Sequence, residues 1–179
     1  MTARNSPSSY GWVAKSLHWF MAVMILGMLA VGLYMSDMEL SPQKLQLYGW
    51  HKSVGSVLLG LFFVRITWKL LNPSVAALPA PAWQRIAAKA THSAFYALML
   101  AMPLSGWLMS SAYGFPVSVF GLFTLPDLVS PDKEWAEVFY EAHELGMLAL
   151  FALIALHVLA ALKHHLFDKD ATLKRMLPW

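Results

Sequence analysis

Four long apolar segments follow one another along the chain, separated by shorter stretches rich in Ser, Pro, Asn and Asp. A helix needs about 20 predominantly apolar residues to cross the hydrocarbon core of a bilayer. The pattern predicts membrane-spanning helices over residues 17–34, 51–71, 91–112 and 142–162. The predicted fold class is therefore all-α, a transmembrane four-helix bundle that forms one domain over residues 1–179.

Basic residues are distributed unevenly among the predicted connections. Ten of them lie at the two termini and in or beside the second connection: Arg4, Lys15, Arg65, Lys69, Arg85, Lys89, Lys163, Lys169, Lys174 and Arg175. The first and third connections, with their flanks, carry only Lys44, Lys52 and Lys133. Because cytoplasmic loops carry the excess of Lys and Arg, both termini are predicted to be cytoplasmic, at the inner face of the membrane.

Composition narrows the class of protein further. Charged residues make up 13% of the chain, about half of what soluble domains carry. Mean hydropathy is +0.53. The low charged fraction and the high mean hydropathy exclude a disordered protein and a nucleic-acid binder. They indicate membrane lipid as the main partner. With no cysteine in the chain, disulfides, thiolate metal sites and covalently attached c-type haem are excluded as well.

Histidines are the candidate metal ligands. Ionisable residues inside membrane spans are costly to bury and usually have a function. His143 and His157 lie 14 residues apart on the fourth segment. On a helix they differ by about 40° in direction and by roughly 21 Å along the axis. They share one face but lie at two depths, which suits two stacked metal centres and not one zinc ion.

Each depth then needs a second ligand from another segment. Chain direction places His51 at the depth of His143, the outer level. It places both His18 and His92 at the depth of His157, the inner level, and counting alone does not choose between them. Paired imidazoles in an apolar bundle without thiolates indicate bis-histidine haem b.

The alternative role for any one of these histidines is a hydrogen bond between helices. Gly55 and Gly146, close after two of the histidines, are predicted to leave room for a flat macrocycle.

Several short segments carry a resemblance to a known family when taken in order. They are SLHW at 16–19, WHKSVG at 50–55, PAP at 79–81, THSAFY at 91–96, AHE at 142–144, LH at 156–157, KHHLFDKD at 163–170 and residues 173–178. Together they cover nearly the whole chain, and their order and spacing resemble the bacterial cytochrome b561 family of four-span, di-haem membrane proteins.

The resemblance implies the ligands and the activity. It implies two haem b groups, one between His18 and His157 and one between His51 and His143. It implies a protein of the bacterial inner membrane that exchanges electrons with ubiquinone or another quinone. Some members are superoxide oxidases, which pass the electron of superoxide to ubiquinone. Residues then expected to contact quinone, haem propionates or substrate are His92, Lys52, Arg65, Lys89, His164 and His165.

Two other functions are compatible with the same pattern. One is a membrane-anchor cytochrome b subunit that relays electrons for a separate redox protein, and the other is a non-haem, His-lined metal transporter. The predicted outer face carries eight carboxylates: Asp37, Glu39, Asp127, Asp132, Glu134, Glu137, Glu141 and Glu144. Such a face opposes the approach of superoxide, an anion, and favours a cationic periplasmic redox protein. Lys52, beside His51, provides a local positive entry for a small one-electron donor.

Overall fold

The computed structural model describes residues 2–177, which form four helices and one two-stranded hairpin. The elements are α1 (Trp12–Ser36), α2 (Pro42–Leu71), α3 (Ala82–Ala112), β1 (Val117–Val119), β2 (Phe123–Leu125) and α4 (Lys133–Leu166). All four helices are long and apolar enough to cross a membrane, so the predicted transmembrane bundle is confirmed. Each of the four predicted spans lies inside one helix. Pro178, the last residue of the segments that carry the resemblance, lies outside the described residues.

Polar and proline residues set where the helices begin. Ser41 precedes α2, its hydroxyl accepts the Lys44 N–H, and Pro42 occupies the first turn. Asp132 precedes α4, and its carboxylate accepts the N–H groups of Glu134 and Trp135. A cap of this kind stabilises a helix by about 1 kcal/mol, because it satisfies donors that have no partner within the helix. Proline can stand in the first turn because the N–H it lacks would have no partner there.

The helices pack in sequence, α1 against α2, α2 against α3, and α3 against α4. Few side chains are fully buried, and many large apolar ones face outward along the spans, including Val23, Leu145 and Leu159. That distribution is the opposite of a water-soluble bundle and is what lipid as the surrounding solvent requires. The 34 residues of α4 extend about 51 Å, so its ends project beyond a hydrocarbon core about 30 Å thick.

The hairpin between α3 and α4 is an element that the hydropathy pattern does not predict. β1 and β2 pair antiparallel, with Val117 opposite Leu125 and Val119 opposite Phe123. Phe120 and Gly121 both have positive φ, 51° and 72°, which lets a three-residue loop reverse the chain. Val117 and Val119 are buried, and β1 packs against α2. The hairpin therefore covers the end of the bundle where the outer-level histidines lie.

Three irregular segments meet at the opposite end of the bundle. The Asn5 side chain donates to the Pro73 carbonyl, which links the N-terminal segment to the connection between α2 and α3. The Arg175 guanidinium donates to the Ala76 carbonyl, which links that connection to the C-terminal tail. The Trp19 indole donates to the Met176 carbonyl. These hydrogen bonds tie the three segments (residues 2–11, 72–81 and 167–177) to one another and to α1 at this end of the bundle.

Candidate cofactor site

The outer level consists of one histidine from α2 and one from α4. The ring centroids of His51 and His143 lie 6.2 Å apart, with the ring planes at 72°. Two imidazoles on one metal ion have centroids roughly 6 Å apart, from metal–nitrogen bonds of about 2 Å and about 1.1 Å more within each ring. The spacing therefore fits one iron held between the two rings.

Hydrogen bonding from its Nδ1 to oxygen atoms of α3 orients His143. Its Nδ1 lies 3.1 Å from the Met102 carbonyl and 3.0 Å from the Ser105 hydroxyl. A carbonyl can only accept, so the bond to Met102 requires a proton on Nδ1 and leaves Nε2 as the free lone pair. Metal-binding histidines commonly have this arrangement, in which the second nitrogen donates to a backbone carbonyl. In contrast, the buried Nδ1 of His51 has no hydrogen-bond partner among the described residues.

Two glycines that sequence reasoning did not select contact the outer imidazoles. A Cβ on Gly106 would lie 3.2 Å from His143 Cε1, and a Cβ on Gly32 would lie 3.6 Å from His51 Cε1. The room for a macrocycle predicted at Gly55 and Gly146 stays a prediction. A Cβ on either would meet a methionine side chain, Met28 or Met102. Which glycine approaches an imidazole depends on the neighbouring helix, and spacing along one helix does not reveal it.

Gly106→Ala is expected to disturb the outer level alone. Alanine favours the helix, but its methyl group would press on the His143 ring. We expect weaker haem retention at that level, by up to about tenfold. Gly60→Ala is the matched control, because nothing lies within 4 Å of its added Cβ. The rate of haem transfer to apomyoglobin measures the difference. Equal rates in both variants would contradict a restraint of His143 by Gly106.

The inner level contains three histidines rather than two. The His157 ring centroid lies 6.2 Å from that of His18 and 6.0 Å from that of His92. The Phe95 ring packs edge-on against His157 at 5.3 Å. Both His18 and His92 have the spacing of a second ligand. The distances therefore do not decide which of them pairs with His157, just as residue counting along the helices did not.

A cation without a counter-ion lies beside the inner level. Arg65 Nη2 is 3.4 Å from His18 Nδ1, and Arg65 Nε is buried without a hydrogen-bond partner among the described residues. The described part of the chain also holds no carboxylate paired with this guanidinium. The Arg65 side chain is half-buried, and a charge partly withdrawn from water is costly unless it is paired. A haem propionate is a carboxylate of the kind that would satisfy it.

The remaining predicted contact residues are spread over both ends of the molecule. At the outer level, the half-buried Lys52 ammonium donates to Ser110 Oγ at 3.2 Å and to the Pro116 carbonyl at 2.9 Å. Lys89 is exposed on the first turns of α3, three residues before His92 on the same helix. His165, at the end of α4, has a buried Nδ1 without a partner among the described residues. These residues therefore do not form one site.

His164 belongs to a polar cluster where α4 ends. Its Nδ1 lies 2.6 Å from Asp170 Oδ2 and 3.1 Å from Asp168 Oδ2. Lys169, between the two aspartates, has a positive φ of 53°, which turns the chain back toward His164. Burial would raise the pKa of Asp170, but hydrogen bonds from Thr172 and His164 outweigh it and lower that pKa below its ordinary value. The cluster therefore presents an ionised carboxylate to His164 at neutral pH.

Comparison with known proteins agrees with the four-helix membrane fold. Residues 9–179 match the family described as prokaryotic cytochrome b561. The chain is 36% identical to "Cytochrome b561 homolog 2" of Escherichia coli (strain K12), with 99% of this chain and 95% of that protein covered. It is 36% identical to "Cytochrome b561 homolog 1" of the same organism, over 72% of this chain and 73% of that protein. It is 29% identical to "Probable superoxide oxidase CybB" of Yersinia pestis, over 94% and 96%. A four-span bundle with paired imidazoles, matched over nearly its whole length, belongs to the prokaryotic cytochrome b561 family of haem b electron carriers.

Proposed function

We propose that the chain binds two haem b groups and carries electrons across the membrane between a one-electron donor and a quinone. One haem iron is held by His51 and His143, and the other by His157 with His18. The observation that carries the proposal is the 6.2 Å spacing of both ring pairs. The two levels are roughly 21 Å apart along α4, so they bridge most of the hydrocarbon core.

When bound, haem b supplies reversible one-electron oxidation and reduction. The protein's part is to hold each ring pair at its level and to exclude water. A haem iron held by two imidazoles would have no coordination position free, so donor and acceptor would exchange electrons without binding iron. At the outer level His143 is held by Met102 and Ser105. At the inner level the Arg65 guanidinium is available to pair a propionate.

For the donor we propose superoxide at the outer level. The Lys52 ammonium, next to His51, lies against two neutral oxygens and has no ion pair among the described residues. Its charge supports attraction of a small anion. Each of two superoxide anions loses one electron and becomes dioxygen. One quinone takes up those two electrons and two protons to become the quinol, so the charges balance.

For the acceptor we propose ubiquinone or another quinone at the inner level. His164 bonded to Asp170 and His165 with its unpartnered Nδ1 support this placement, because imidazoles can donate protons to a reduced quinone. His92 is a third candidate, since its ring lies beside His157. Lys89 is exposed and carries less weight. The same proposal places the protein in the bacterial inner membrane with both termini cytoplasmic, as the distribution of basic residues favours.

A second donor is favoured by a row of carboxylates on α4. Glu134, Glu137, Glu141 and Glu144 are all exposed, and they fall within an arc of about 80° on one helix face. None of them forms a salt bridge within the described residues. This face supports docking of a cationic redox protein, which would make the chain a relay for a separate electron donor.

The first test is a reduced-minus-oxidised absorption spectrum of the purified protein together with a pyridine haemochrome assay. We expect about two haem b per chain, because each histidine pair fits one iron. Ubiquinone-1 reduction during enzymatic superoxide production then tests the donor, with added superoxide dismutase as the control. Absence of haem would contradict the whole proposal. Two haems with no superoxide-dependent quinone reduction would leave the cationic redox protein as the donor.

A further inference from the structure

His51 and His143 are held in different ways although they occupy one level. The Nδ1 proton of His143 is directed at two oxygen atoms of α3, the Met102 carbonyl and the Ser105 hydroxyl, which orient the ring. The Nδ1 of His51 is buried and has no hydrogen-bond partner in the described part of the chain. A ligand imidazole without such a bond depends on the position of its own backbone for its direction. The turn of α2 that carries His51 therefore has to be held by something else.

The residues on both sides of His51 bind the hairpin. Trp50 packs edge-on against the Phe120 ring, with the centroids 5.6 Å apart. The Lys52 ammonium donates to the Pro116 carbonyl, just before β1. The contact of Trp50 with Phe120 alone contributes about 0.5–1.5 kcal/mol beyond the area that it buries. The helix turn around His51 is thus fastened to the hairpin from both sides.

Ser53 forms the centre of this attachment. Its hydroxyl accepts the Phe120 N–H at 3.0 Å. The single hydroxyl proton lies between two acceptors, the Gly49 carbonyl of α2 at 2.8 Å and the Ser118 carbonyl of β1 at 3.0 Å. The side chain is only 2% exposed. Phe120 has a positive φ, a conformation that is unfavourable for a bulky residue and persists only where the surroundings enforce it. The bond from its N–H to Ser53 is one of the interactions that enforce it.

We propose that Ser53 is a positioning residue for the outer haem: by fastening the β1–β2 hairpin to α2, it directs the His51 imidazole and closes the outer level. This inference rests on the proposed ligation of haem by His51 and His143. It concerns a residue that touches neither the iron nor the imidazole and acts through the hairpin. His143 is oriented through its ring nitrogen. Ser53 instead orients His51 by fixing the backbone of α2 that carries it.

The test compares Ser53→Ala with Ser56→Ala. Among the residues that the structure describes, the Ser56 hydroxyl bonds only to the Lys52 carbonyl within α2, so its loss leaves the hairpin contacts intact. We expect Ser53→Ala to keep two haems, to shift the ferric EPR signal of the outer haem only, and to admit carbon monoxide to about one reduced haem per chain. The outer signal is the one that His143→Ala lacks. Ser56→Ala is expected to match the unmodified protein, in which carbon monoxide binds neither haem.

A second variant covers the case in which Ser53→Ala does not assemble. Phe120→Ala removes the contact with Trp50 from a side chain that is 45% exposed, so the interior stays packed. Its outer EPR signal is expected to shift in the same direction while the inner signal stays unchanged. The inference is overturned if both haem signals shift together, or if Ser53→Ala and Phe120→Ala both behave like Ser56→Ala. An unmodified protein without haem would instead overturn the proposed function.

Discussion

Replacing His143 by alanine is expected to lower the haem content from about two to about one per chain, with the remaining haem spectrally unchanged. The reason is geometric, because among the described residues the His51 ring alone lies at ligand spacing from that of His143. His51→Ala is expected to give the same result. The pyridine haemochrome assay measures the content, and EPR of the oxidised protein shows which low-spin signal is lost.

Added imidazole separates ligation from packing in this experiment. A free imidazole can occupy the space left by the His143 side chain and restore the outer signal if the residue is a ligand. If His143 only packs between α3 and α4, imidazole has no effect on haem content. Glu144→Ala, at an exposed neighbouring position, controls for helix disturbance and is expected to keep both haems. Two haems in His143→Ala would contradict the outer site.

The second large effect concerns the choice between two histidines at the inner level. His18→Ala is expected to remove the inner haem, whereas His92→Ala is expected to retain it. Distances do not separate the two rings, since both lie about 6 Å from His157. The family resemblance implies His18. Haem content and the inner EPR signal of each single variant decide between them, with His157→Ala as the reference for complete loss.

Arg65 adds a readout to that comparison. A guanidinium can only donate, so its contact with His18 Nδ1 requires a lone pair on that nitrogen. In a neutral ring the proton is then on Nε2, and ligation through Nε2 requires the guanidinium to move to another acceptor, such as a propionate. Arg65→Leu is therefore expected to shift the reduction potential of the inner haem more than that of the outer haem. The choice of His18 as the second inner ligand is contradicted if His18→Ala keeps the inner haem and His92→Ala loses it.

Much of the fold was predictable because hydropathy acts locally along the chain. Each predicted span lies inside one observed helix, and each helix extends beyond its span. The extra turns, such as residues 133–141 of α4, are polar enough to leave the hydrocarbon core. They remain helical because their backbone hydrogen bonds are internal to the helix. Hydropathy marks the membrane-embedded part of a helix and says little about where the helix ends.

The hairpin and the glycines beside the imidazoles escaped prediction for a common reason. β1 and β2 have three residues each, too few for a period-two pattern to stand out. Their stability comes from contacts with Ser53 and Trp50 on α2, more than sixty residues away. Gly106 is informative only once the His143 ring is known to face it. Such pairings are properties of packing between distant segments.

The sequence by itself determined the number of spans, the two depths of histidine and the pairing of His51 with His143. The number of spans follows from apolar segments of about 20 residues. The two depths and the pairing follow from chain direction and from regular helix geometry, in which rise and rotation per residue are constant. Tertiary structure alone decided that Met102 orients His143, that Arg65 lies against His18, and that Ser53 fastens the hairpin. These contacts depend on how each helix is rotated about its axis against its neighbours. Packing sets that rotation, and the apolar pattern of a lipid-facing helix barely encodes it.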